Sequence, residues 1–205
     1  MAGRRFVVAV TGGSGVAYGR RLLECLAAAG AAVHLTVSEA GQKVIAHELQ
    51  VPLDLHDGPG VVRGLLGRDA PNVEYHHYKD LEVPIASGSH KTDGMAIVPC
   101  SGGTLGRIAC GASSNLIERA AEVCLKERRK LILVPRETPY SEIMIENMLR
   151  VTRAGAIVLP ASPGFYAGET RIEQAVDFIV SRVLDQLGVE KDAPEEEIKR
   201  VCTLI

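Results

Sequence analysis

The run Lys130–Ser141, KLILVPRETPYS, sets Arg136 and Glu137 side by side directly after an apolar, β-branched stretch. A buried strand that stops at Pro135 and delivers two opposite charges has two explanations. Either the pair belongs to an ion-pair network at a sheet edge, or it faces a ligand. In the second case Arg136 grips a phosphate through its guanidinium fork and Glu137 moves a proton beside it. Lys126, Arg128 and Arg129 crowd the segment before the strand. Such a charge run is mostly a solvated face, yet one member can reach the same ligand.

Two glycine-rich segments have the composition of an anion cradle. TGGSG (11–15) lies between an apolar strand and a helical pattern, where free backbone N–H groups and the helix dipole favour an anion. Tyr18 stands where a dinucleotide fingerprint needs glycine, and no GK[ST] follows, so neither that fingerprint nor a P-loop is met. PCSGGTLG repeats the device, with the hydroxyls of Ser101 and Thr104 beside Gly102 and Gly103. Cys100 reads as a small packed residue at a strand end rather than a nucleophile, because no His neighbours it in sequence. The polar loop ASGSHKTDG (86–94) does not by itself decide between a solvated loop and a site. His56, His76, His77 and His90 fit no ligand spacing and show no evident carboxylate or thiol partner set. They are read as surface histidines, and no metal is expected.

Strands must deliver these groups to one edge. Phe6–Val10, AAVHLTVS, GMAIVP, KLILVP and GAIVLP read as strands. Tyr18–Ala29, EAGQKVIAHEL, NLIERAAEVCLKERR, PYSEIMIENMLRVTRA and RIEQAVDFIVSRVLDQLG read as helices. Residues 51–93 are less regular. The alternation predicts an α/β protein with a mostly parallel sheet covered by helices on both faces, a three-layer sandwich. Asn115 with Glu118 and Thr170 with Glu173 resemble capping boxes, and Thr138-Pro139 offers an N-cap before a first-turn proline. Ligands of such sheets bind at the carboxyl ends of the strands. The segments there are TGGSG, Ser38, CSGGT, RET and ASPGFY, whose hydroxyls and glycines suit a phosphorylated ligand.

A 205-residue chain with 46% hydrophobic residues has the size and composition of one domain over 1–205, with a charged segment from about 189. A net charge of −2 gives no field to draw nucleic acid or an anionic membrane, and the absence of Trp argues against a base-stacking platform. Five cysteines without a CxxC pair argue against zinc and a disulfide framework and fit a reducing cytoplasm. The apolar stretch at Phe6–Val10 is too short for a signal peptide, and no membrane span is expected. The terminal CTLI has the outline of a prenylation box without a polybasic run, and is read as chance.

TGGSGVAYGRRLLECL, PIASGSHKTDGMAIVPCS, NLIERAAEVCLKERRKLILVPRETPYSEI and GAIVLPASPGFY together resemble the UbiX-type flavin prenyltransferase family, in order and at family-like spacing. LKERRKLILVPRETP with the later PGFY carries most of the specificity. The resemblance implies a doubly wound, Rossmann/flavodoxin-like fold, a homo-dodecamer, and reduced FMN as acceptor of a prenyl group from dimethylallyl phosphate. Joining at flavin N5 and C6, without a metal, makes prenylated FMN for a UbiD-type decarboxylase. By motif it implies FMN contacts from Gly12, Gly13, Ser14, Gly15, Ser38, Ser87, Ser101, Gly102, Gly103, Thr104, Arg119 and Arg136. It implies Lys126, Arg136, Glu137, Tyr166 and Arg182 around the prenyl phosphate, and catalytic roles for Glu137, Glu48 and Ser14. The loop carrying Ser87 reaches the site across a subunit boundary in this family. Three departures stand out: Gly13 where TGASG is usual, PCSGGT where PCSMKT is usual, and no aromatic residue after Phe178 to cover the site. An FMN-dependent cysteine decarboxylase of the same fold needs a PASANT-like segment and a His on the second helix. His47 lies near that position and is read as a helix-surface residue. A non-catalytic flavin carrier needs the cradle but not Lys126, Glu137, Tyr166 and Arg182 together.

Overall fold

The computed structural model describes residues 3–165 and 171–189. Its elements run β1 (Arg5–Val10), α1 (Val16–Ala28), β2 (Ala32–Val37), α2 (Glu39–Glu48), α3 (Gly58–Leu66), β3 (Val73–Tyr75), a 3₁₀ turn at Pro84–Ala86, β4 (Gly94–Cys100), α4 (Gly102–Ala109), α5 (Leu116–Lys126), β5 (Leu131–Pro135), α6 (Glu142–Arg153), β6 (Ile157–Val158) and α7 (Ile172–Leu187). The six strands pair in the order β3-β2-β1-β4-β5-β6, and every pairing is parallel.

Residue alternation along β1 decides the layering. Phe6, Val8 and Val10 face a core with Leu22 and Leu26 of α1, Val61 of α3 and Leu184 of α7. Val7 and Ala9 face the opposite core with Ile108 of α4, Ile117 of α5 and Val151 of α6. Both faces are therefore dry, which is why the strands read as continuous apolar runs. Without the short edge strand β3 the order is that of flavodoxin, and the fold is flavodoxin-like. The topology reverses between β1 and β4, so the loops after these two strands flank the crevice where such sheets bind ligands. Thr11 ties the loops together. Its N–H and hydroxyl donate to the Pro99 carbonyl at 3.2 and 2.8 Å, and Ser101 N–H donates to its hydroxyl at 2.8 Å.

Three differences from the sequence expectation have local causes. The irregular region holds α3 and β3, hidden because α3 begins GPG. Asp57 caps it by accepting from Gly60 N–H at 3.0 Å, and Val61, Val62, Leu65 and Leu66 bury its apolar face. PCSGGTLG opens a helix that the sequence pattern did not show, α4, capped by Ser101. Helix α6 starts at Ser141, whose hydroxyl accepts from Met144 N–H at 3.2 Å, while Thr138-Pro139 is a cis turn before it. Asn115 caps α5 as expected, but Glu118 turns away to Ser114 and Arg107, so that box is only half closed. Thr170 lies outside the described residues. Among the described residues no helix is long and apolar enough to cross a membrane.

Candidate active site

At the β1–α1 turn, Gly15 has a φ of +104°, a conformation that L side chains rarely adopt, and α1 has no side-chain cap there. Its first N–H groups take an anion from elsewhere. Gly15 N–H donates to both oxygens of Glu48 at 3.1 and 3.0 Å, and Val16 N–H to one of them at 3.0 Å. Gly19 then lets α1 press on β4, since a Cβ there would meet the Val98 carbonyl oxygen at 2.2 Å. It does the close-packing work of the third glycine in a dinucleotide fingerprint, one residue later than that pattern asks.

Arg136 leaves the carboxyl end of β5, and its Nε donates to the Ser14 carbonyl at 3.4 Å. Burial raises the pKa of the Tyr18 hydroxyl, with Arg136 lowering it and Glu48 raising it. Ser14, Gly15, Tyr18, Glu48 and Arg136 thus form one electrostatic group. Glu137 is exposed and, among the described residues, accepts only from its own neighbour, Thr138 N–H, at 3.1 Å. Among the described residues neither Arg136 nor Glu137 makes a salt bridge. Among the described residues, then, no edge ion-pair network surrounds the charged pair.

Beside this group lies a cavity of about 320 Å³ lined by Gly12, Ser38, Lys43, Tyr78, Ser101, Thr104, Arg107 and Asn115. Ser38 caps α2 by accepting from Gly41 N–H at 2.9 Å, and Ser101 caps α4 by accepting from Thr104 N–H at 3.3 Å. Three helix N-termini, those of α2, α4 and α5, therefore border one cavity with the cations Lys43 and Arg107 and the Glu39 carboxylate that pairs with Lys43. The first turn of α4 leaves Gly102 and Gly103 exposed, and Gly13 is buried against Pro99. Arg107 is anchored by Glu118, which is fully buried. Burial pushes the Glu118 carboxyl up, but hydrogen bonds from Ser114 and Arg107 win and hold it below the usual carboxylate value. The acceptor-rich flavin phosphate fits this cavity, and the Glu48 carboxylate on α1 is an internal stand-in for an anion at the neighbouring turn.

Other expected residues lie apart. Ser87 precedes β4 and Ser101 follows it, and the seven-residue strand between them spans about 20 Å. Ser87 pairs with Ser89, while Lys126, at the far end of α5, pairs with Glu127 beside Gly88. Arg119 donates to the Ala86 carbonyl at 3.0 Å and to Glu122. The Arg182 guanidinium lies 5.8 Å from the Phe178 ring centre, near the end of α7 that packs on the start of β4. Tyr166 lies outside the described residues. Thr11, Tyr18, Tyr78 and Arg107 went unnoticed as site residues. Arg107 was findable once Ser101 is taken as an N-cap, but Tyr78 carries no sequence signal.

His47 is exposed at the end of α2, and Cys100 is a packed residue whose thiol burial pushes up to about 12. The surface reading of the histidines fails for His76, which is 5% exposed and 2.9 Å from the equally buried His34. Its backbone N–H continues the β3 pairing to Leu35, which turns the ring under the sheet. His34 and Glu74 supply the partner set that the sequence did not reveal.

Fold and crevice define a flavin-binding α/β protein, and comparison with known proteins agrees. The Flavoprotein family model matches residues 1–184. A flavin prenyltransferase UbiX from Halalkalibacterium halodurans is 46% identical over 187 residues, covering 91% of this chain and 90% of that one. A crystal structure of AnUbiX (PadA1) in complex with FMN and dimethylallyl pyrophosphate has a TM-score of 0.80 at 43% identity, covering 90% of this chain and 92% of that one. A dodecameric FMN-dependent UbiX-like decarboxylase from Escherichia coli O157:H7 has a TM-score of 0.80 at 38% identity, covering 94% and 98%. The chain belongs to the flavoprotein family and, within it, to the UbiX-type flavin prenyltransferases. The cysteine decarboxylase TvaF, at 16% identity and a TM-score of 0.57, shares the fold alone.

Proposed function

We propose that the protein joins a dimethylallyl group from dimethylallyl phosphate to N5 and C6 of reduced FMN, supplying prenylated FMN to a UbiD-type decarboxylase. The observation that carries this reading is Arg136 and Glu137, delivered without a salt-bridge partner among the described residues to a crevice lined by helix N-termini. Ser38, Ser101, Thr104 and Arg107 hold the FMN phosphate, with Gly12, Gly13, Gly102 and Gly103 giving the backbone close approach. Ser14 and Gly15 meet the flavin ring, whose electron-rich reduced form is the nucleophile. Arg136 balances the charge that the departing phosphate takes with the electron pair of the broken C–O bond. Glu137 gives that phosphate a proton and collects one from the flavin at ring closure. Glu48 fixes the Ser14–Gly15 turn through its two N–H contacts.

Ser87, Arg119, Lys126 and Arg182 complete the site from a neighbouring copy, with Tyr166, in a homo-oligomer of the dodecamer type. Their distance from Ser14 within one chain supports this arrangement. PCSGGT in place of PCSMKT leaves room at the flavin edge. The test is anaerobic incubation with reduced FMN and dimethylallyl mono- or diphosphate, followed by mass spectrometry of the extracted flavin. Gain of one C5 unit is expected. Unmodified flavin with both donors would overturn the proposal.

A further inference from the structure

Strand β3 pairs with β2 so that His34 lies opposite Glu74, and His76 follows two residues later. We propose that His34, Glu74 and His76 form a site for a divalent transition metal of the zinc class, separate from the flavin crevice, that fastens edge strand β3 to the sheet.

Three donor atoms converge there. His34 Nδ1 lies 2.9 Å from His76 Nε2 and 3.5 Å from Glu74 Oε2, and the last two are 3.9 Å apart. A tetrahedral ion with bonds of about 2.1 Å holds its ligands about 3.4 Å from one another, and the three separations straddle that value. With both rings neutral, one proton between them makes an N–H···N hydrogen bond and leaves the Glu74 carboxylate outside it, facing solvent. A cation in the middle satisfies all three. The rings are fixed by burial, at 8% and 5% exposure, whereas Glu74 is exposed and leaves a fourth position open to water.

An outer contact orients the His34 ring, through a neighbouring imidazole rather than the carboxylate, carbonyl or water that usually holds a metal-bound histidine. His34 Nε2, the nitrogen facing away from Glu74, lies 3.1 Å from His90 Nε2. The role is structural. Tyr78, two residues beyond His76, lines the Ser38–Ser101 cavity, and His90 belongs to the loop that carries Ser87. One ion would stiffen both.

The test uses the full chain, free of any affinity tag and stripped with a chelator. Calorimetric titration with ZnCl₂ should show one ion per chain and a raised unfolding midpoint. Co²⁺ should give the intense visible bands of a four-coordinate N/O site. Glu74→Gln, a change at an exposed position that leaves the fold intact, should weaken binding at least about tenfold. His76→Asn should abolish it. Binding of much less than one ion per chain, or equal Zn²⁺ affinity in both variants, would overturn the proposal and leave a hydrogen-bonded stack of rings.

Discussion

The two ends of the sheet treat their charges differently. At the carboxyl end, Arg136 and Glu137 have no salt-bridge partner among the described residues, and helix α1 draws Glu48 onto its N-terminus. At the opposite end three cations around the 84–93 loop are engaged within the chain: Lys126 by Glu127, Arg119 by Glu122 and Ala86, and Arg129 by the carbonyls of Gly88 and His90, while Lys91 is exposed. Unpaired charge costs stability unless a ligand or solvent compensates it. The first end thus leaves its charged pair to a ligand or to solvent, and the second ties cations within the chain around Ser87.

The comparison can be broken by mutation, and activity should respond most at the first end. Glu137→Gln should slow prenyl transfer about 10³-fold if it carries protons, with an unchanged melting temperature. Full activity in a single-turnover assay would remove that role. Next, Arg136→Ala should cost about 10²–10³ in kcat, the usual loss for one charge-stabilising donor, with stability changed by less than about 0.5 kcal/mol because its one contact is long. Stability should dominate elsewhere. Gly19→Ala normally gains about 1 kcal/mol of helix propensity, but contact of a Cβ with the Val98 carbonyl outweighs this and should cost about 3 kcal/mol net, read by urea unfolding.

The smallest effect concerns Glu118. Its carboxyl is held below the usual value, so it contributes stability above the unfolded carboxylate pKa, and that contribution disappears as pH falls through the folded pKa. Glu118→Gln should cost about 1–2 kcal/mol at neutral pH, discounted because Arg107 is partly solvated. The gap between the two melting curves should close in acid below the unfolded carboxylate pKa. A gap that stays constant with pH would remove the ion pair from the account.

Legibility followed the physical periods of the chain. Long apolar runs such as Leu131–Val134 announced themselves, as did TGGSG and the charged pair after Pro135. Helices α3 and α4 did not, because GPG and GGT put poor helix formers in their first turns while Asp57 and Ser101 supply the caps. Tyr78 and His34 were invisible for another reason. Their roles arise from strand register and from a loop that returns to the sheet, neither of which leaves a local pattern. The separation of Ser87 and Lys126 from Ser14 likewise needs the strand between them to be seen.

If two copies of the chain make one site, mixing two inactive variants restores it. Arg136→Ala and Lys126→Ala proteins are combined, dissociated, reassembled and assayed for flavin prenylation. Sites shared between copies predict recovery in about a quarter of them, where an intact Arg136 from one parent meets an intact Lys126 from the other. No recovery from mixed oligomers, verified by native mass spectrometry, would contradict the account and return the whole site to a single chain.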